Sequence, residues 1–278
     1  MRFTFAYNRE GNVIPPVTPS VSDLVELGIL TKQISEFSDS DIGTEVSIPY
    51  SNEGSGISGP IVFEVVGVNH HVTTEHPKTI TLMTKNIIRK ASFDAAEPNN
   101  TNSYRKSSGN NRWSVSNIRQ WLNSGGAAGS WWSAQHEYDA PPIAANVSHA
   151  AGAYADAPGF LAGFSADVLQ HFTDITNTTN LNNVDGGGTE TTVDKVFLPS
   201  FTEMGLATGE GSHLSIRYPD ANSRIKSGAD GIYWMRSPYG AMYPQNVGFI
   251  NAKGNSPNYT FFIGAFADNG ITPIIVLH

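Results

Sequence analysis

Apolar positions fall in short runs separated by long polar stretches, and their period changes along the chain. Residues 1–19 read as an extended opening, where prolines at 15, 16 and 19 fix φ and remove donors. Ser20 or Ser22 then caps a short helix with Val21, Leu24, Val25 and Leu27 on one side before Gly28, and a further half-turn is expected over Leu30–Phe37. From Gly43 the pattern is that of strands. Glu45–Pro49 alternates, Ile61–Val68 is a β-branched run, and Thr79–Met83 follows a His-rich turn, which predicts a hairpin. Residues 94–111 are polar and read as loop. Ser114 or Ser116 caps a helix through Asn123, with Val115, Ile118, Trp121 and Leu122 on one face, and Gly125-Gly126 stops it. Residues 124–160 read as loop. Ser165 caps another short helix with Val168, Leu169 and Phe172 on one side, and Thr173–Thr192 is a polar tract containing Gly186-Gly187-Gly188. Strands are expected at Val196–Leu198, Ile232–Met235, Val247–Ile250 and Ile271–Leu277. Two short helices among many short strands describe an α+β domain rather than a repeat array.

Composition narrows what such a domain can do. Lys and Arg number 17 against 25 Asp and Glu, a net charge of −8, and no basic cluster is present, so a nucleic-acid partner is not expected. Arg89-Lys90 and Arg105-Lys106 read as isolated pairs on a solvated face. Cysteine is absent, which removes disulfides, thiolate metal sites and a Cys nucleophile. No apolar run approaches the roughly 20 residues of a membrane span. The opening Met1-Arg2-Phe3-Thr4-Phe5 shows no apolar core of a cleavable signal, so any exit from a cell is expected to be by lysis, a virion or another carrier.

Several motifs occur in a recognisable order: Thr81-Leu82-Met83-Thr84-Lys85-Asn86-Ile87, Gly109-Asn110-Asn111-Arg112-Trp113, Ser116–Asn123, Pro158-Gly159-Phe160-Leu161, Asp194–Ser200 to Glu203, Tyr233–Pro238 and Gly270-Ile271-Thr272-Pro273. In this order they resemble a family of C-type-lectin-fold domains of unknown function from phage and Firmicute proteins. The resemblance covers residues 43–278 and implies one ligand-binding domain of α+β class with a C-type-lectin-like fold, related to the formylglycine-generating-enzyme-like fold. Residues 1–42 lie outside it as an N-terminal extension for attachment or oligomerisation, or an arm packed on the domain. The family commonly has Arg before the final Pro, where this chain has Thr272. The resemblance extends to phage tail-associated receptor-binding proteins and to variable proteins diversified in their C-terminal stretch by retroelements.

The C-terminal composition suits that implication. Nine aromatics lie between Tyr233 and Phe266, while Lys253 is the only charge from Ser237 to Ala267. Tyr and Asn on loops give rigid amphipathic area with adaptable hydrogen bonding, as in antibody paratopes. Trp234, Val247 and Phe249 read as core. The expected ligand-binding set is Tyr239, Tyr243, Gln245, Asn246, Asn251, Lys253, Asn255, Asn258, Tyr259, Phe261 and Phe262, forming one exposed patch.

Enzymatic readings find little support. Oxidases of the related fold class depend on cysteine, and related iron-dependent sulfoxide synthases on a histidine set. His70, His71 and His76 are the only local His cluster and read as a solvated turn. No H-E-x-x-H, G-x-S-x-G or phosphate loop appears. Glu97-Pro98-Asn99 spells the calcium- and mannose-binding tripeptide of animal C-type lectins, but it precedes the first helix and no Trp-Asn-Asp follows. The expectation is therefore a non-enzymatic protein without cofactor or metal. It binds a host-cell surface protein or glycan, sits on a phage tail or bacterial surface, and uses residues 1–42 for a virion partner or self-association. The alternative is a structural virion or surface decoration protein without its own ligand site.

Overall fold

The β-branched run Ile61–Val68 forms the longest strand of a computed structural model that describes residues 23–256 and 263–278, together with the backbone of two short strands ahead of them. Those two, β1 (Ala6–Tyr7) and β2 (Val13–Ile14), pair antiparallel. Then come β3 (Glu45–Ile48), β4 (Ile61–Val68), β5 (Ile80–Thr84), β6 (Arg89–Ser92), α1 (Ser103–Ser108), α2 (Asn117–Leu122) and α3 (Ala166–Leu169). The remainder is β7 (Ile175–Asn180), β8 (Thr189–Asp194), β9 (Val196–Phe197), β10 (Tyr233–Pro238), β11 (Val247–Ile250), β12 (Asp268–Ile271) and β13 (Ile274–Leu277). The architecture is mixed α and β, with several small sheets and few, short helices. No described helix is long and apolar enough to cross a membrane.

The expected hairpin is β4–β5. Its turn is closed by the Asn69 N–H donating to the Thr79 carbonyl at 2.9 Å and by the Thr79 N–H donating to Asn69 Oδ1 at 3.1 Å. A five-stranded sheet runs β3-β4-β5-β13-β9 and a four-stranded one β11-β10-β12-β6. Every residue of β13 is fully buried, which explains its unbroken apolar run, since a strand covered on both faces need not alternate. The apolar stretch expected as one strand, Ile271–Leu277, is two. Pro273 offers no N–H for a ladder, and at Thr272-Pro273 the chain steps from the four-stranded sheet into the five-stranded one. The first and last strands of the described domain do not pair directly: β3 pairs with β4, and β13 with β5 and β9.

Two polar tracts, the first of them read as loop, contain regular structure. In 94–111, Asn102 Oδ1 accepts from the Tyr104 and Arg105 N–H groups and starts α1. In 173–192, β7 and β8 form a hairpin whose inward face is polar. Asn177 and Thr192 turn into the protein and donate to Asp194 Oδ2 at 3.1 and 2.6 Å, where Trp113 Nε1 also donates and Arg119 binds Oδ1. Ser116 caps α2 as expected, and Ile118, Trp121 and Leu122 are fully buried. The indole N–H groups of Trp121 and Trp234 donate to the carbonyls of Pro158 and Ala91, so large apolar area is buried with no polar atom of the ring left over.

Ser20 and Ser22 lie outside the described residues. Asp23 takes the expected capping place, its Oδ1 accepting from the Val25 N–H, and the chain forms turns rather than a helix before Gly28. Leu24, Ile29, Leu30 and Phe37 belong to the same hydrophobic core as the sheets, so that core runs across the expected 42/43 boundary. Arg89 and Arg105, expected on a solvated face, are half-buried.

Candidate functional site

Strand β10 is fixed from behind by ionic contacts. Arg236, on its fourth position, donates through Nη1 and Nη2 to Glu203 at 2.7 and 3.0 Å, and through Nη1 to the Leu198 carbonyl. Burial alone would raise the Glu203 pKa, but Arg236 and His71 outweigh it and hold the carboxyl far below the ordinary value. Ser237 accepts from the Phe201 N–H and donates to Glu210. The 239–246 loop therefore leaves from a rigid strand end.

Asn111, fully buried, fastens that loop. Its Nδ2 donates to the carbonyls of Tyr243 (3.1 Å) and Asn246 (2.8 Å), while its backbone N–H donates to the Pro244 carbonyl. The Tyr239 N–H closes the loop on the Asn246 carbonyl. Both tyrosine rings are half-buried, Tyr239 edge-on to Phe201 and Tyr243 edge-on to Tyr104 with centroids 6.1 Å apart. Gln245 is half-buried and its carbonyl accepts from the Ala265 N–H. Asn246 is 1% exposed, and its side chain lies inside the loop instead of on the expected contact surface. The bridge it forms with Gly264 draws it inward.

Asn251, Lys253 and Asn255 sit at the other end of β11. Asn251 Oδ1 accepts from the N–H groups of Lys253 and Asn255, making a tight turn from which Lys253 and Asn255 are exposed. A four-residue strand spans roughly 13 Å, so the described members of the expected patch divide into two groups. Asn258, Tyr259, Phe261 and Phe262 lie outside the described residues.

The end bearing Tyr239 and Tyr243 gathers side chains not foreseen from sequence. The β7–β8 turn docks there: Asn182 Nδ2 donates to the Gly240 carbonyl at 3.0 Å and the Asn183 N–H to the Ala241 carbonyl at 2.9 Å. Three exposed apolar groups result, Tyr104 (49%), Val184 (51%) and Met242 (70%). Beside them opens a groove of about 510 Å³ whose lining includes Asn100, Asn102, Arg105, Asn110, Arg112, His136, Tyr138 and Val184. Its cations are matched. Arg105 pairs with Asp185 at 2.6 Å, Arg112 with Glu190 at 2.7 Å, and His136 Nε2 lies 3.3 Å from Glu97 Oε1. The Glu97 carboxylate raises the pKa of His136, and Glu190 raises that of Arg112. Burial raises the nearby Asp139, and Asp94 more strongly. Amides, a phenol and neutralised ion pairs beside exposed apolar groups make a surface for non-covalent recognition. Tyr104 and Val184 went unseen because each stands alone in a polar tract. Asn111 was visible only as part of the Gly109–Trp113 motif.

One sequence reading is corrected. The His-rich turn is not simply solvated: His71 faces inward, with Nδ1 3.0 Å from Thr81 Oγ1 and Nε2 3.3 Å from Glu203, and desolvation pulls the pKa of half-buried His70 down to about 4. Glu97, in the lectin-like tripeptide, is fully buried against His136 and receives Asn100 Nδ2. Among the described residues, no group of three or more His, Cys, Asp or Glu side chains is arranged to hold a metal ion.

Residues 78–278 match the family described as Domain of unknown function (DUF6273). That span is well over half of the chain, and the chain belongs to this family. No curated protein and no solved structure matches it. The match begins just ahead of β5, so β3 and β4, which complete the five-stranded sheet, precede it.

Proposed function

We propose that this chain is a ligand- or receptor-binding protein of C-type-lectin-like fold, and that it is not an enzyme. The observation that carries the reading is the convergence of Tyr104, Val184 and Met242 on one loop whose backbone is pinned by a buried amide, beside a roomy polar groove. Exposed apolar groups clustered at a polar groove mark a contact surface, and a fixed loop loses little entropy on binding. The reading includes a phage-tail or cell-surface setting, a host-cell surface protein or glycan as partner, and diversification by a retroelement of the C-terminal stretch. Because Leu24, Ile29, Leu30 and Phe37 are committed to the core, attachment to a virion or a second copy falls to residues 1–22.

The test is a joint Tyr104→Ser, Val184→Ser and Met242→Ser variant, compared with the parent on bacterial cells and on glycan and protein arrays. Binding is expected to disappear with the melting temperature nearly unchanged, since exposed substitutions cost about 0.5 kcal/mol or less each. Undiminished binding by the variant, or a parent that binds nothing on any of these, overturns the reading.

A further inference from the structure

A second cleft, sharing no residue with the groove or the 239–246 loop, has a half-buried cation at its base. It measures about 280 Å³ and is lined by Arg89 and by residues of the 54–56, 142–144 and 153–157 loops. The Arg89 guanidinium is held in place on several sides. Nε donates to the Lys90 carbonyl at 3.0 Å, Nη1 to the Ser55 carbonyl and Nη2 to the Ala153 carbonyl at 3.3 Å. Its Cζ lies 5.3 Å over the Trp121 ring and 5.7 Å over that of Tyr154, which is itself stacked on Trp131.

Every one of those acceptors is a neutral carbonyl. They satisfy three of the five N–H donors and leave the charge uncompensated, with one N–H on each terminal nitrogen outside these bonds. Arg105, Arg112, Arg119, Arg217 and Arg236 each meet a carboxylate at 2.6–2.8 Å. Arg89 forms no such pair with any described carboxylate, and desolvation lowers its pKa below the ordinary value. Arg224 also lacks a carboxylate, but it is 7% exposed and lines neither cleft.

The walls leave the guanidinium open. Gly54 and Gly56 both hold positive φ, and a Cβ on Gly56 would sit 3.9 Å from the Arg89 guanidinium carbon. The Ser55 hydroxyl is turned away, donating to the Asn52 carbonyl at 2.7 Å. Pro142, Ala144, Ala155 and Ala157 supply small apolar surface. Asp156 is the only carboxylate among the described lining residues and is exposed, so a second negative charge on a ligand is disfavoured.

We propose that this cleft binds a small monocarboxylate whose remaining atoms are apolar, its carboxylate pairing with the two terminal nitrogens of Arg89. A guanidinium with both of these nitrogens available takes a carboxylate through two parallel hydrogen bonds, and burial strengthens the pair. The volume lies below the roughly 300–1,000 Å³ of drug-sized pockets, which sets the ligand at a few heavy atoms beyond the carboxylate.

The experiment titrates the full chain with N-acetylalanine and with uncharged N-acetylalaninamide, by calorimetry and by the Arg89 Nε–Hε signal in a ¹⁵N spectrum. The acid is expected to bind at about millimolar concentration or tighter and the amide about tenfold more weakly or worse, a difference near 1.4 kcal/mol. The acid is also expected to move the Arg89 signal. Arg89→Gln should abolish acid binding. Because that change also frees two loops and risks unfolding, Ala155→Leu fills the cleft with the Arg89 contacts kept, and should weaken the acid at least about tenfold. Equal binding of acid and amide, no binding of the acid below ~10 mM, or full binding by a folded Ala155→Leu variant overturns the proposal.

Discussion

Replacing Glu203 by glutamine keeps the volume of the side chain and removes its charge, leaving Arg236 ionised in the interior. Both residues are 1% exposed, and the carboxylate accepts from Arg236 at 2.7 and 3.0 Å, from the Ser200 N–H at 2.7 Å and lies 3.3 Å from His71. Breaking one side of a buried ion pair costs about 3–5 kcal/mol, because the surviving charge stays desolvated. For a chain of this size that corresponds to a fall of roughly 5–9 °C in melting temperature. The pH dependence adds a second signature. The folded-state pKa of Glu203 lies below its unfolded value near 4.5, so its contribution is present above that value and is lost as pH falls beneath it. Urea unfolding of parent and Glu203→Gln at neutral and acidic pH should show the gap at its widest near pH 7 and closing below about pH 4.5. A loss under about 1 kcal/mol at pH 7, or a gap unchanged in acid, would show that the pair does not hold β10 as described.

Two further outcomes separate core from surface and test the groove. Trp234→Ala should cost roughly 3–5 kcal/mol by urea unfolding, in contrast to the surface triple variant; a loss below about 1 kcal/mol would place the indole outside the packed core. His136 has a raised folded pKa, so its pairing with Glu97 stabilises the fold fully below the unfolded value near 6.5 and is lost as pH rises through the folded one. The stability difference between parent and His136→Asn should therefore shrink between roughly pH 6 and pH 8; a difference that grows over that range would contradict the pairing.

What the sequence revealed followed from apolar period. The run Ile61–Val68, the face Ile118, Trp121 and Leu122, and the strands at 233–235 and 247–250 each carry their burial in their residue types. The β7–β8 hairpin was hidden because its inward side chains include Asn177 and Thr192, buried through hydrogen bonds to Asp194 rather than by hydrophobicity. Helix α1 was hidden because it has no buried residue at all. The candidate site was half legible. Composition pointed to Tyr239 and Tyr243, but it could not show that a four-residue strand separates them from Asn251, Lys253 and Asn255. Nor could it show that a turn some 60 residues earlier in the chain supplies Val184.

The step at Thr272-Pro273 makes ten residues close two sheets at once. Strand β12 sits between β10 and β6, and β13 between β5 and β9, so each occupies an inner position in its sheet. Their partners β5 and β6 are made nearly two hundred residues earlier. During synthesis both sheets stand open along an apolar seam until residue 277 leaves the ribosome. Pairings this distant in sequence form slowly and leave unpaired strand edges exposed in the meantime. Stops introduced between codons 268 and 277 should therefore yield aggregated chain rather than a shortened domain.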